Sequence, residues 1–127
     1  MRTFEVECPR GWSDWENSVR VVIKSFEKIG IKATESLVDY GVWKQNLVTG
    51  EFDFSMETQT PVLWPSTPWR RFAQIMSGKD LRPVGESIYE NFGRYDDAEA
   101  ERLIRELPRL TDENEIAAAH RALSPCL

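Results

Sequence analysis

Two tryptophans stand where neither helical periodicity nor strand alternation asks for them. Trp12 lies inside the turn Pro9-Arg10-Gly11-Trp12-Ser13, and Trp64 inside the proline-rich run Thr60-Pro61-Val62-Leu63-Trp64-Pro65-Ser66-Thr67-Pro68. An indole face outside a core stripe can stack on a sugar ring or grip an apolar peptide side chain, for about 1 kcal/mol beyond the area it buries. Charged groups follow in the chain: Glu57 before the second run, and Arg70 and Arg71 after it, a pair able to hold a carboxylate through bidentate hydrogen bonds. Each has an ordinary structural reading beside the functional one. Trp12 can pack as a staple under the helix that follows it, Trp64 can plug its loop, and adjacent arginines can form a solvated helix face.

Catalysis finds less support in the residue pattern. A carboxylate pair for glycoside hydrolysis could be drawn from Asp14, Asp39, Asp53 and Glu57. However, Asp14 and Asp39 stand at predicted helix N-termini, and Asp53 alternates outward between Phe52 and Phe54. Nucleophile motifs, phosphate-cradling glycine loops and Cys/His clusters are all absent from the sequence. With His120 as the single histidine, no metal site and no cofactor are expected. His120 itself falls on the inward stripe of the last predicted helix, the place of a neutral core histidine.

The composition sets wide bounds. At 127 residues, with 41% hydrophobic and 29% charged residues, the chain fits one globular domain burying roughly two thirds of its unfolded surface. Sixteen basic against twenty-one acidic side chains give a net charge of −5, which speaks against nucleic acid as a partner. No apolar run reaches the ~20 residues that span a bilayer, and the first residues do not read as a signal peptide. Cys8 and Cys126 could close a large loop in an oxidising compartment or remain thiols, and the sequence leaves both open.

These groups need a scaffold, and the apolar spacing supplies one. Apolar residues at 4, 6 and 8 predict a half-covered strand. Ser13-Asp14-Trp15-Glu16 has capping-box form, and Trp15, Val19, Val22, Ile23, Phe26 and Ile29 trace one helical stripe closed by Gly30. A strand over residues 31–38 comes next. Asp39 then caps a short helix with Tyr40, Trp43 and Leu47 on one side and Gly50 at its end, followed by a strand from Phe52 to Met56. The order is βαβαβ, which favours parallel strands and right-handed crossovers. Past the proline-rich run, a third helix is predicted from Trp69 with Phe72, Ala73 and Met76 inward. A fourth follows Asp96-Asp97 and stops at Pro108, and a fifth begins at Thr111. Trp15, Trp43 and Trp69 fall on helix stripes and are read as core.

The ordered set of Pro9-Arg10-Gly11-Trp12-Ser13-Asp14-Trp15, Phe26-Glu27-Lys28-Ile29-Gly30-Ile31-Lys32-Ala33, Val38-Asp39-Tyr40, Thr49-Gly50-Glu51-Phe52-Asp53-Phe54, Asn91-Phe92-Gly93-Arg94-Tyr95-Asp96-Asp97-Ala98-Glu99 and Leu110-Thr111-Asp112-Glu113 resembles a lobe of a known family. The family is the extracytoplasmic solute-binding proteins (family 5) of peptide-type ABC importers. The similarity covers nearly the whole chain. It implies an α/β fold: one lobe of a type II periplasmic-binding architecture, a βαβαβ core with additional C-terminal helices, with residues 1–127 forming a single domain that is a fragment of a longer two-lobed protein. It further implies a periplasmic or extracellular parent, an oligopeptide or an oligosaccharide as ligand, and an ABC permease as partner. Asn91 and Tyr95 would hydrogen-bond a polar ligand. The same fold reused as a sensing or protein-interaction lobe is the alternative.

Ligands of open α/β sheets sit beyond the carboxyl ends of the strands. That rule selects Pro9 to Ser13, Val38 to Val42 and Glu57 to Pro68, and gives Trp12, Trp64, Glu57, Arg70 and Asn91 as the site candidates. An isolated lobe is expected to bind weakly, because half the enclosure is missing, and could dimerise through an uncovered edge.

Overall fold

The computed structural model describes residues 2–58 and 69–124, which form two compact units: residues 2–58 with 84–87, and residues 69–83 with 88–124. The first is α/β and the second helical.

The first unit is built on three parallel strands, β1 (Phe4–Pro9), β2 (Ala33–Val38) and β3 (Phe54–Ser55), in the order β2-β1-β3. The predicted βαβαβ order is therefore present, with the strand expected from Phe52 to Met56 reduced to two residues and prolonged by one bond from Met56 N–H to the Glu7 carbonyl. Lying centrally, β1 is covered on both faces: Val6 and Cys8 pack with Val19 of α1 (Ser13–Lys28), while Glu7 meets Asn46 of α2 (Tyr40–Thr49). Double coverage is the usual condition of a parallel strand. Cys8 is a buried free thiol whose pKa is pushed up by desolvation, and Cys126 lies outside the described residues.

Both helices end as their glycines predict. Past α1, Ile31 N–H donates to the Phe26 carbonyl and Gly30 N–H to the Glu27 carbonyl, with Gly30 at φ +80°. This is a Schellman closure, whose left-handed residue glycine adopts without Cβ strain. Gly50 does the same for α2 at φ +78°. The start of α1 departs from expectation. Trp12 takes the cap position without a side-chain bond, and Glu16 Oε1 accepts from Gly11 N–H at 2.7 Å, because the turn at Gly11 carries that amide over the helix start. Asp39 does stand at the cap of α2, but its carboxylate makes no capping bond. Ile29, the last residue of the predicted stripe, caps α1 in solvent.

The second unit packs α3 (Trp69–Met76), α4 (Ala98–Glu106) and α5 (Glu113–Leu123) around Ala73, Met76, Ala100, Ile104, Leu107, Ala119 and Leu123. Asp97 caps α4 through a bond from Ala100 N–H, and Pro108 converts the helix end into a single 3-10 turn, Leu107–Arg109. For α5 the cap is Asp112 and not Thr111: Asp112 Oδ1 accepts from both Asn114 N–H at 2.9 Å and Glu115 N–H at 3.0 Å. His120, expected in the core, is half-buried and lies against Phe72 with ring centres 5.6 Å apart. The predicted Thr67-Pro68 start of α3 lies outside the described residues.

Candidate ligand-binding site

Four aromatic rings converge at the carboxyl end of the sheet. After β1, the turn at Gly11 places Trp12 at the head of α1, and Trp15 follows on its first turn. After β2, Asp39 leads into α2, whose first turn carries Tyr40 and Trp43. Parallel pairing of β1 with β2, extended by Arg10 N–H to the Val38 carbonyl, brings the two loops side by side. Trp12 lies on Tyr40 with centroids 5.8 Å apart and ring planes inclined by 26°. Trp15 meets Trp12 edge-on at 4.9 Å and Trp43 edge-on at 5.7 Å, and Tyr40 and Trp43 are 5.4 Å apart. Such offset and edge-to-face contacts suit the ring quadrupoles.

The cluster is graded from core to surface. Trp43 is 4% exposed, its indole N–H shared between Ser55 Oγ at 3.0 Å and the Met56 carbonyl at 3.1 Å, which ties α2 to the end of β3. Trp12 and Tyr40 are 40% and 55% exposed. A buried anchor thus holds two rings against solvent, as a stacking platform requires. Its rim is charged. Lys44 Nζ lies 5.7 Å from the Trp43 ring centre, and desolvation raises the pKa of the Glu57 carboxyl, with the Lys44 ammonium pulling the other way.

The site candidates separate. Trp12 and Glu57 fall in this first unit at the carboxyl end. Trp64 lies outside the described residues. Arg70 and Asn91 belong to the second unit, where Arg70 pairs with Glu90 at 2.5 Å, both side chains being about half exposed. Asn91 is 2% exposed, and its carboxamide serves its own loop: Nδ2 donates to the carbonyls of Ser77 and Tyr95, and Oδ1 accepts from Tyr95 N–H. Its φ of +50° belongs to the same tight turn. Tyr40 was missed as a surface ring because the α2 stripe assigned it inward. The available signal was its position: the first turn of a helix that follows a strand stands at the sheet's carboxyl edge.

Two further depressions exist among the described residues. One, of about 360 Å³, is lined by Glu5, Glu7, Gly50, Glu51, Phe52 and Asp53 toward the amino end of the sheet. The other, of about 740 Å³, runs along the charged face of α4. Among the described residues no cluster of three or more His, Cys, Asp or Glu side chains is gathered to hold a metal ion, and no helix is long and apolar enough to cross a membrane.

The fold is that of the type II periplasmic-binding proteins, as comparison with solved structures shows. The periplasmic oligopeptide-binding protein of an oligopeptide ABC transporter from Thermotoga maritima matches at 28% identity and a TM-score of 0.81, over 98% of this chain and 23% of that one. Its mannohexaose-bound form matches at 29% identity and a TM-score of 0.85, with the same coverage. An oligopeptide-binding protein from Bacillus subtilis, in complex with a nonapeptide, shares the fold at 18% identity and a TM-score of 0.68, over 95% of this chain and 22% of that one. The neighbours are thus the transport proteins that the sequence resembles, and the fold is of their type II periplasmic-binding class. This chain spans less than a quarter of their length. No protein-family model and no curated protein matches it.

Proposed function

We propose that this chain is a ligand-binding lobe of a longer two-lobed solute-binding protein, which captures an oligopeptide or oligosaccharide outside the cytoplasm and delivers it to an ABC permease. The observation that carries this reading is the position of the ring cluster: Trp12 and Tyr40 lie open at the carboxyl ends of parallel strands, where α/β folds bind their ligands. No chemical step belongs to this role. The lobe offers stacking surface and rim hydrogen bonds, and a second lobe closing over the same face would exclude water and raise affinity. Of the sequence candidates, Trp12 and Glu57 belong to this surface, and Trp64 lies outside the described residues. Arg70 and Asn91 belong to the second unit, where Arg70 pairs with Glu90 and Asn91 bonds the Ser77 and Tyr95 carbonyls.

The chain alone should bind weakly, with a Kd of about 1 mM, equivalent to ~4 kcal/mol. Saturation-transfer NMR registers binding in that range. Transfer to ligand protons from short peptides or from oligosaccharides supports the role; silence from both classes on a folded chain overturns it.

A further inference from the structure

The ring cluster also indicates what it holds. Trp12 is hemmed by three rings, with Tyr40 over one face, Trp15 edge-on at 4.9 Å and Trp43 at 6.3 Å. Among the described residues Tyr40 has two ring neighbours, Trp12 stacked at 5.8 Å and Trp43 tilted at 5.4 Å. At 55% exposed it is the most open of the four rings, and it is backed by an indole. Trp12 is then the second layer of the platform and Tyr40 the first.

The charges nearby are largely committed. Arg10 donates to the Leu37 carbonyl at 2.9 Å, Glu16 accepts from Gly11 N–H, and Lys44 sits over Trp43 and acts on Glu57. Asp39 precedes Tyr40 in the chain and its carboxylate caps no helix amide. A peptide terminus needs a charge of opposite sign to replace its lost hydration, and the carboxylate terminus finds both nearby cations engaged. Carboxylates such as Asp39 and Glu57 do accept hydrogen bonds from hydroxyl groups, and the C–H face of a pyranose lies flat on an aromatic ring.

Resting on the solute-binding reading, we infer that Tyr40 supplies the open stacking face of the site and that it takes an uncharged hexopyranose ring of an oligosaccharide. The rim carboxylates then receive its hydroxyls, and Trp12 and Trp43 hold Tyr40 in place.

The test titrates the whole chain, by saturation-transfer NMR, with β-linked gluco- and manno-oligosaccharides and separately with unprotected tri- and tetra-alanine. The expected result is transfer to sugar C–H protons, none to the peptides, and a loss of affinity of about tenfold in Tyr40→Ala with near-complete retention in Tyr40→Phe. Circular dichroism of both variants confirms that they are folded. Peptide binding without sugar binding overturns the ligand class and leaves the solute-binding role standing. Silence from both classes overturns that role as well. Sugar binding unchanged in a folded Tyr40→Ala variant overturns the assignment of Tyr40.

Discussion

The two ends of one three-stranded sheet are furnished in opposite ways. At the carboxyl end, the loops leaving β1 and β2 gather Trp12, Trp15, Tyr40 and Trp43, two of them open to solvent. Toward the amino end, Glu5, Glu51 and Asp53 gather beside the entry to β3, with Glu7 buried behind them. Two of these carboxylates, Asp53 and Glu51, are consumed locally. Asp53 accepts from Glu5 N–H and pairs with Arg2, and Glu51 accepts from Thr49 Oγ1 at 2.9 Å. Of the rings, Trp43 is tied to the end of β3, while Trp12 and Tyr40 stay open to solvent. The lesson is that the residue type matters less than whether its bonding capacity is already spent: the acids fasten the short β3 strand, while the rings keep a face to offer.

Substitutions at the two ends should therefore differ in kind. The largest effect is expected at Trp43→Ala, which removes the buried ring and both bonds to the end of β3. It should cost about 3 to 5 kcal/mol in urea unfolding and disperse the cluster. A loss below about 1 kcal/mol would mean that the rings are held otherwise. Next comes Asp53→Ala, expected to cost about 1 kcal/mol of stability and to leave sugar binding unaltered, because its partners are Arg2 and the Glu5 amide. A weakened titration in that variant would erase the distinction between the ends.

Glu7 gives a smaller, pH-dependent signal. It is 6% exposed, Oε2 accepts from Asn46 Nδ2 at 2.6 Å, and Oε1 has no hydrogen-bond partner among the described residues. Desolvation raises its carboxyl above the ordinary 4.5, the Asn46 bond opposing and Glu5 adding to the rise. The folded chain thus holds this proton more tightly than the unfolded one. The resulting stabilisation is present at low pH, declines as pH rises from about 4.5 through the folded-state value, and is absent above it. Glu7→Gln should flatten this part of the stability profile and leave the variant at least as stable as the parent at neutral pH. A variant markedly weaker at neutral pH would show that the ionised Glu7 is itself stabilising.

Much of this scaffold was legible from local chemistry. The βαβαβ order follows from apolar spacing, and Gly30, Gly50 and Asp97 mark helix ends through φ or capping demands that act within a few residues. The ring cluster was not legible as such. It joins Trp12 and Trp15 to Tyr40 and Trp43 across a strand pairing that no local pattern encodes, and helical periodicity placed Tyr40 inward although the first turn of α2 reaches past the sheet edge. Asn91 shows the opposite ambiguity. A polar side chain in an irregular segment serves a ligand or its own backbone equally well by sequence, and here its carboxamide bridges Ser77 and Tyr95. At Ser13, a correct motif gave the wrong cap, because the turn at Gly11 put a nearer amide within reach of Glu16.

One measurement reaches the location of the site directly: the tryptophan indole N–H resonances in a nitrogen-labelled chain, followed as a β-linked oligosaccharide is added. Trp12, stacked beneath Tyr40, should shift progressively with ligand, with a smaller shift at Trp43, while Trp69 of the helical unit stays in place. A shift confined to Trp69, with Trp12 unmoved, would contradict a binding site at the carboxyl edge of the sheet.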